Sequence, residues 1–369
     1  MDEPVLPDYR GGCITNIVPA LLGPTEVAPA WLPPAALEAE QVVLFVLDGL
    51  GWEQFEARRG VATTLAGLQG GPITSVAPST TATALTSIAT GLTPGEHGVV
   101  GYRVAVGGEV LNVLRWSTAA GDARRRIDPE AFQPQSAFCG QRPPIVTKAE
   151  FVKSGFSGAH LADVRFNGYR VASTMVAEVG RLLRQGEPFV YAYYDGIDKV
   201  AHEYGLDEHY EAEVAAADRL VGDLLAVLPP GAALVVTADH GQVDVGNRIV
   251  ELGPSITPYL SHQSGEGRFR WLHARPGREL ALFDAALDTH AETGWVVTRD
   301  QTIDQGWWGP KVTDAARQRL GDVALVAREP MSYADPADSG PYQLIGRHGS
   351  LTAAEMYVPL LVGTHGGSH

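Results

Sequence analysis

This chain has little cysteine, little positive charge and no long apolar run, and each shortage removes a class of protein. Its two cysteines, Cys13 and Cys139, stand far apart and match no zinc or redox spacing, so no disulfide is needed and both read as buried thiols. No apolar stretch reaches the length of a membrane span, so a membrane partner is not expected. Lys and Arg number 28 against 43 Asp and Glu, and no basic stripe offsets the formal charge of −15, so a nucleic-acid duplex is a poor partner. The first residues, MDEP, are acidic where a secretory leader needs basic ones, which gives the expectation of a cytoplasmic protein. There is no internal repeat and no low-complexity segment. What is present is ordinary for a folded enzyme: 45% apolar and 19% charged residues in 369, enough for one large domain with insertions.

Three apolar runs read as buried strands of a parallel sheet: VVLFVLD (42–48), FVYAYYD (189–195) and ALVVTAD (233–239). Each ends in aspartate. Helical patterns lie between them, with Val171, Met175, Val179 and Leu182 on one face and Val214, Val221, Leu224, Leu225 and Leu228 on another. The alternation predicts a three-layer α/β/α sandwich around a mainly parallel central sheet, with ligands bound beyond the carboxyl ends of the strands. A single Asp at a strand end usually starts a turn; three of them point to a site. The whole chain, 1–369, reads as one catalytic domain. Within it 261–340 has the texture of a small α+β insertion, a lid or flank with a β-α-β-α-β pattern. A second excursion, 102–162, carries the basic DARRRID, which reads as a solvated face.

The chemistry-bearing residues fall at the ends of these strands. Asp198 and His202, in DGIDKVAH, are four apart and share a helix face; Asp239 and His240 adjoin a glycine that permits a sharp turn. With Asp48 and His348 they make three carboxylates and three imidazoles, a donor set suited to two divalent metal ions, zinc or manganese. Two such ions outweigh three carboxylates, so a locally cationic site inside an acidic protein attracts small phosphate esters. The stretch PSTTATALTSIATG (78–91) holds seven hydroxyls, more than helix capping explains.

In combination and order, VLDGLG, this hydroxyl-rich turn with TGLTPGEHG behind it, DKVAH, TADHG and RHG resemble the alkaline phosphatase superfamily, and within it the nucleotide pyrophosphatase and phosphodiesterase branch. The tail GSLTAAEMYVPLL is also similar to the end of cofactor-independent phosphoglycerate mutases of the same superfamily. The resemblance implies one metal held by Asp48, Thr81, Asp239 and His240, and another by Asp198, His202 and His348. It also implies the nucleophile: relatives place it nine residues before the TGL threonine, which here is Thr81. Thr81 would begin a helix whose Leu85, Ile88 and Leu92 face the core, with Thr80 or Ser79 as cap, and in-line attack would give a phosphothreonine intermediate.

The chain departs from this pattern at Ala84, where relatives carry an asparagine that holds a phosphoryl oxygen; Asn112, Asn167 and Arg165 are candidates for that task. Sulfatase chemistry is excluded by the absence of its Cys/Ser-x-Pro-x-Arg signature, and His97 reads as structural. No Lys or Arg lies between Gly70 and Glu96, so diesters are expected over monoesters, their second substituent covered by Trp271, Trp307 and Trp308. The alternatives are a phosphomonoesterase or phosphomutase on the same scaffold, and a binding protein that has lost catalysis.

Overall fold

The computed structural model describes residues 3–24, 28–338 and 343–366. Its centre is a seven-stranded sheet in the order Gln69–Thr74, Tyr357–Thr364, Ala232–Thr237, Gln41–Leu47, Phe189–Tyr194, Pro144–Lys148 and Arg165–Tyr169. Only Tyr357–Thr364 runs against the others. The strand Gln41–Leu47 is an unbroken apolar run because helices cover both faces of the sheet and neither face sees water. Helices Ala172–Arg184 and Glu208–Ala226 pack together in one layer, while Thr81–Thr90, Ile17–Leu22 and Gly155–His160 pack together in the other. The fold is a three-layer α/β/α sandwich.

Register places the site. Val46 pairs with Thr237 and Leu47 with Tyr194, so Asp48, Asp195 and Asp239 all leave the sheet at one edge. The helix Ala172–Arg184 buries Met175, Val179, Leu182 and Leu183, but Val171 precedes it and is 58% exposed: extended backbone turns that side chain away from the apolar stripe. Glu208–Ala226 buries Val214, Val221 and Leu224, and Leu228 is buried just beyond it.

A second sheet is antiparallel, in the order Leu260–Glu266, Phe269–Ala274, Val323–Ala327, Gly294–Thr298, backed by the helix Glu279–His290. The first strand, LSHQSGE, escapes the β-α-β-α-β pattern because it carries a single large apolar residue. One face of this sheet, with Leu272, Leu325 and Val296, forms a core with Leu282 and Ala286 of the helix. The other face joins the main core through Phe269 and Trp271. Trp271, Trp307 and Trp308 are therefore not a cover for substrate: all are essentially fully buried, clustered around Phe269 with ring centroids 5.7 to 6.1 Å away. Large rings at a junction gain most by leaving water entirely. Cys13 is buried as expected, whereas Cys139 is exposed on a tight 3-10 turn.

Candidate active site

The helix Thr81–Thr90 buries every one of its residues and ends on Gly91, whose φ of +68° suits glycine. Its hydroxyls are accounted for one by one. Thr86 and Thr90 donate to the carbonyls of Ala82 and Thr86 at 2.7 Å, and Ser87 pairs with the buried His97 at 2.8 Å, so His97 is structural. Ser79 donates to the Ser350 carbonyl at 2.6 Å. Thr83 Oγ1 is buried without a partner. Leu85 and Ile88 are buried, whereas Leu92 lies past the helix and is half-buried. Thr81 remains, its Oγ1 3.1 Å from His240 Nε2.

The strand ends deliver the other groups to the same place. Asp48, Asp239 and His240 form one cluster of facing ligand atoms; Asp198, His240 and His348 form a second, so His240 stands between them. His240 Nε2 lies 3.4 Å from both Asp48 Oδ1 and Asp239 Oδ2. His202 reaches the second cluster through Asp198, with Nε2 3.3 Å from Oδ1, and its ring lies 5.2 Å from that of His348. The structure thus brings together Asp48, Thr81, Asp198, His202, Asp239, His240 and His348.

Two features of this geometry fit metal ions. In all three imidazoles Nδ1 faces a backbone carbonyl: Gly346 for His202 at 2.7 Å, Gly241 for His240 at 3.1 Å, Ser79 for His348 at 3.0 Å. A carbonyl only accepts, so Nδ1 carries the proton and every Nε2 turns a lone pair to the centre. Asp48 Oδ1 and Asp239 Oδ2 are buried with no hydrogen-bond partner. Bare lone pairs crowded in this way repel one another unless a cation sits among them. Titration agrees. Burial, then the neighbouring Asp239 and Asp198, pushes the Asp48 carboxyl well above its usual range; burial likewise raises Asp198 and Asp239. Burial lowers His240, and burial with the two other rings lowers His348 far below the ordinary imidazole value. The acidic and histidine groups make a binuclear metal site.

Several contributors escaped the sequence. The Tyr193 hydroxyl donates to Asp48 Oδ2, and Gln242 donates to Asp198 Oδ1 at 2.6 Å, each fixing one carboxylate oxygen. Gln242 directly follows the TADHG stretch and could have been suspected from its position; Tyr193 is one aromatic among several in its strand. Glu266, from the second sheet, places Oε2 3.8 Å from His348 Nδ1, and burial raises its pKa to about 8. Nothing in SHQSGEG distinguishes it. The candidates for the missing asparagine are engaged elsewhere. Arg165 pairs with Glu187 at the exposed edge strand, Asn167 bonds the Arg165 carbonyl, and Asn112 bonds the Tyr102 hydroxyl. Asp195 stands apart as well, ion-paired with Lys148 at 2.6 Å and Lys199 at 2.7 Å.

Comparison with known proteins agrees with this geometry. In solved structures the fold is shared with murine ectonucleotide pyrophosphatase / phosphodiesterase 5, at 16% identity and a TM-score of 0.66 over 87% of each chain. It is shared with the human protein of that name at 15% identity and 0.64, again over 87% of each chain. Phosphonoacetate hydrolase from Sinorhizobium meliloti 1021, in complex with phosphonoformate, has 19% identity and a TM-score of 0.63 over 89% of this chain and 91% of its own. No curated protein matches the chain significantly in sequence. The expectation of a cytoplasmic protein is overturned, because the murine and human structures are of ecto-enzymes, and the charge of a few leading residues does not fix a compartment. The type I phosphodiesterase / nucleotide pyrophosphatase family matches residues 42–351, from the first central strand to just past the late histidine, and the chain belongs to that family.

Proposed function

We propose that this protein is a metal-dependent phosphodiesterase or nucleotide pyrophosphatase that hydrolyses small phosphate diesters through a phosphothreonine intermediate on Thr81. The observation that carries the reading is the Thr81 hydroxyl, the first residue of a buried helix, 3.1 Å from His240 Nε2 within a cluster of unpartnered carboxylate oxygens. Asp48, Asp239 and His240 would hold one ion beside Thr81, and Asp198, His202 and His348 the other. Zinc suits the mixed imidazole and carboxylate donors, and manganese is the second choice. When bound, the ions supply charge neutralisation at the phosphoryl group and lower the pKa of an adjacent hydroxyl.

The residues of the chain do the rest. Thr81 would attack phosphorus in line, its proton passing by way of solvent to the leaving alcohol or phosphate as the P–O bond to that group breaks; water would then attack the phosphothreonine, releasing the phosphomonoester and restoring the hydroxyl. The N–H groups of Thr81, Ala82 and Thr83 donate to no partner among the described residues and are aimed out of the helix start, where a phosphoryl oxygen would rest. An inactive threonine-to-alanine variant of the murine relative has been solved in complex with AMP, which supports a threonine nucleophile and a nucleotide substrate here.

The reading favours diesters over monoesters because the stretch 70–96 around Thr81 holds no Lys or Arg, and Arg165 is engaged at a distant edge. A monoester brings one more negative charge for which no partner is provided. The test is kcat/KM for p-nitrophenyl phosphate against thymidine 5′-monophosphate p-nitrophenyl ester under identical metal loading. Higher efficiency on the monoester would overturn the diesterase reading in favour of a phosphomonoesterase or phosphomutase.

A further inference from the structure

The second sheet is joined to the stretch that follows His348 by one charged pair. Arg268 and Glu355 are both fully buried, with Arg268 Nε 2.7 Å from Glu355 Oε1 and Nη2 2.8 Å from Oε2. Taking two charges out of water costs so much hydration that such a pair often adds little net stability, and apolar side chains of similar volume can replace it. What the pair holds is the better guide to its use.

Every polar atom of the pair is engaged. Arg268 Nη1 donates to the carbonyls of Glu329 and Met331 at 2.9 and 2.7 Å, and Nη2 reaches that of Ala327 at 3.5 Å, so the guanidinium is fixed against the second sheet and the turn that follows it. Glu355 Oε1 accepts in addition from Ser350 N at 2.9 Å, and Oε2 from the Thr352 hydroxyl. Ser350 lies two residues beyond His348. The turn between them is held from several sides: the Ser350 hydroxyl donates to the Ala327 carbonyl, the Ser350 carbonyl accepts from Ser79 Oγ at 2.6 Å, and the Ser79 carbonyl accepts from His348 Nδ1 at 3.0 Å. Gly349 bridges to Ser79 and has φ +118°; a Cβ there would stand 2.7 Å from Glu266 Cδ, so the turn lies flush against the hairpin. A continuous line of hydrogen bonds thus runs from the second sheet through Glu355, Ser350 and Ser79 to the imidazole of His348.

We propose that Glu355 is a positioning residue for His348: anchored by Arg268, it holds the Ser350 turn so that His348 Nε2 is kept in place for the ion shared with Asp198 and His202. The inference rests on the binuclear-metal reading of the site. It makes the second sheet a buttress of that centre rather than a lid over substrate. Partners behind a metal-bound imidazole act in this way, fixing the ring before the ion arrives. Asp48 and Asp239 take their hydrogen bonds from Tyr193, Gly49 N and His240 N instead, so the other centre should not feel the loss of the pair.

The test is zinc affinity, measured one centre at a time by competition with a chromophoric chelator: Asp48→Asn leaves mainly the centre of Asp198, His202 and His348, and His202→Ala mainly the other. Replacing the pair by apolar side chains, Arg268→Met with Glu355→Leu, should leave circular dichroism and the metal-free Tm near those of the parent. It should weaken zinc about ten- to a hundredfold in the Asp48→Asn background and by no more than about threefold in the His202→Ala background. Arg268→Met with Glu355→Gln keeps an acceptor for Ser350 N without the charge and should recover most of the affinity. Ser79→Ala cuts the line nearer to His348; it should weaken the same centre by a smaller factor, and it carries the test if the paired replacement does not fold. Undiminished affinity of the Asp198 centre in the apolar pair or, where that protein does not fold, in Ser79→Ala would overturn the proposal. So would an equal loss at both centres, which marks a merely structural role. Zinc that binds at neither centre of the unaltered chain would overturn the metal reading itself, and the proposal with it.

Discussion

Asp48, Asp239 and Asp195 carry one signature in the sequence, an aspartate closing an apolar strand, and the fold gives them opposite fates. Asp195 is flanked by the ammonium groups of Lys148 and Lys199, one on each carboxylate oxygen. Asp48 and Asp239 each keep a buried oxygen with no partner, pointed at a neutral imidazole. The first arrangement is complete within the chain; the second is stable only when something positive joins it. A strand-end carboxylate is thus left open to act as a ligand where the neighbouring strand offers no cation, and is closed in a structural ion pair where the next strand ends in lysine.

That contrast can be broken or sharpened by experiment. The largest effect is expected from Thr81→Ala, which should lower turnover by on the order of a thousandfold or more with the fold intact by circular dichroism. A dead Thr80→Ala or Ser79→Ala beside an active Thr81→Ala would place the nucleophile elsewhere. Next, His202→Ala or His348→Ala should reduce bound metal from about two ions per chain to about one, and Asp48→Asn or His240→Ala should remove mainly the other. Elemental analysis decides it, and protein that binds no transition metal under any loading would refute the site.

A third effect is pH-dependent. In the metal-free protein Asp48, Asp198 and Asp239 have native pKa values above that of an unfolded aspartate, so the native state binds protons more tightly. Their stabilising contribution is present in full below about pH 4 and declines as pH rises through the native values. Thermal melts with chelator should therefore show a falling Tm from about pH 4 upward, and metal loading should flatten the fall. Equal slopes with and without metal would show that these carboxylates are not its ligands. The smallest effect belongs to Asp195→Asn, expected to cost about 1 kcal/mol, with Lys199 half exposed, and to leave two ions in place. Loss of metal in that variant would erase the distinction drawn between the two kinds of aspartate.

The sequence by itself determined the sheet and the donor set. VVLFVLD, FVYAYYD and ALVVTAD can be buried only on both faces, and Asp198 with His202 can share a helix face by spacing alone. Thr81 stood out through the family resemblance, in which the nucleophile precedes the TGL threonine by nine residues, and the fold brings its hydroxyl to the carboxylate and imidazole cluster. What only the tertiary structure decided is which residues distant in sequence meet. Lys148 reaches Asp195 because Pro144–Lys148 lies beside Phe189–Tyr194, an order that no local pattern encodes. Trp271, Trp307 and Trp308 read as a substrate cover until the second sheet laid one face on the main core. Glu266 crosses from that sheet to His348, 82 positions away in the chain, by virtue of a hairpin anchored through Arg268 and Glu355. Periodicity and spacing report how a segment folds on itself; contacts between layers depend on strand order and packing, which are settled by the whole chain at once.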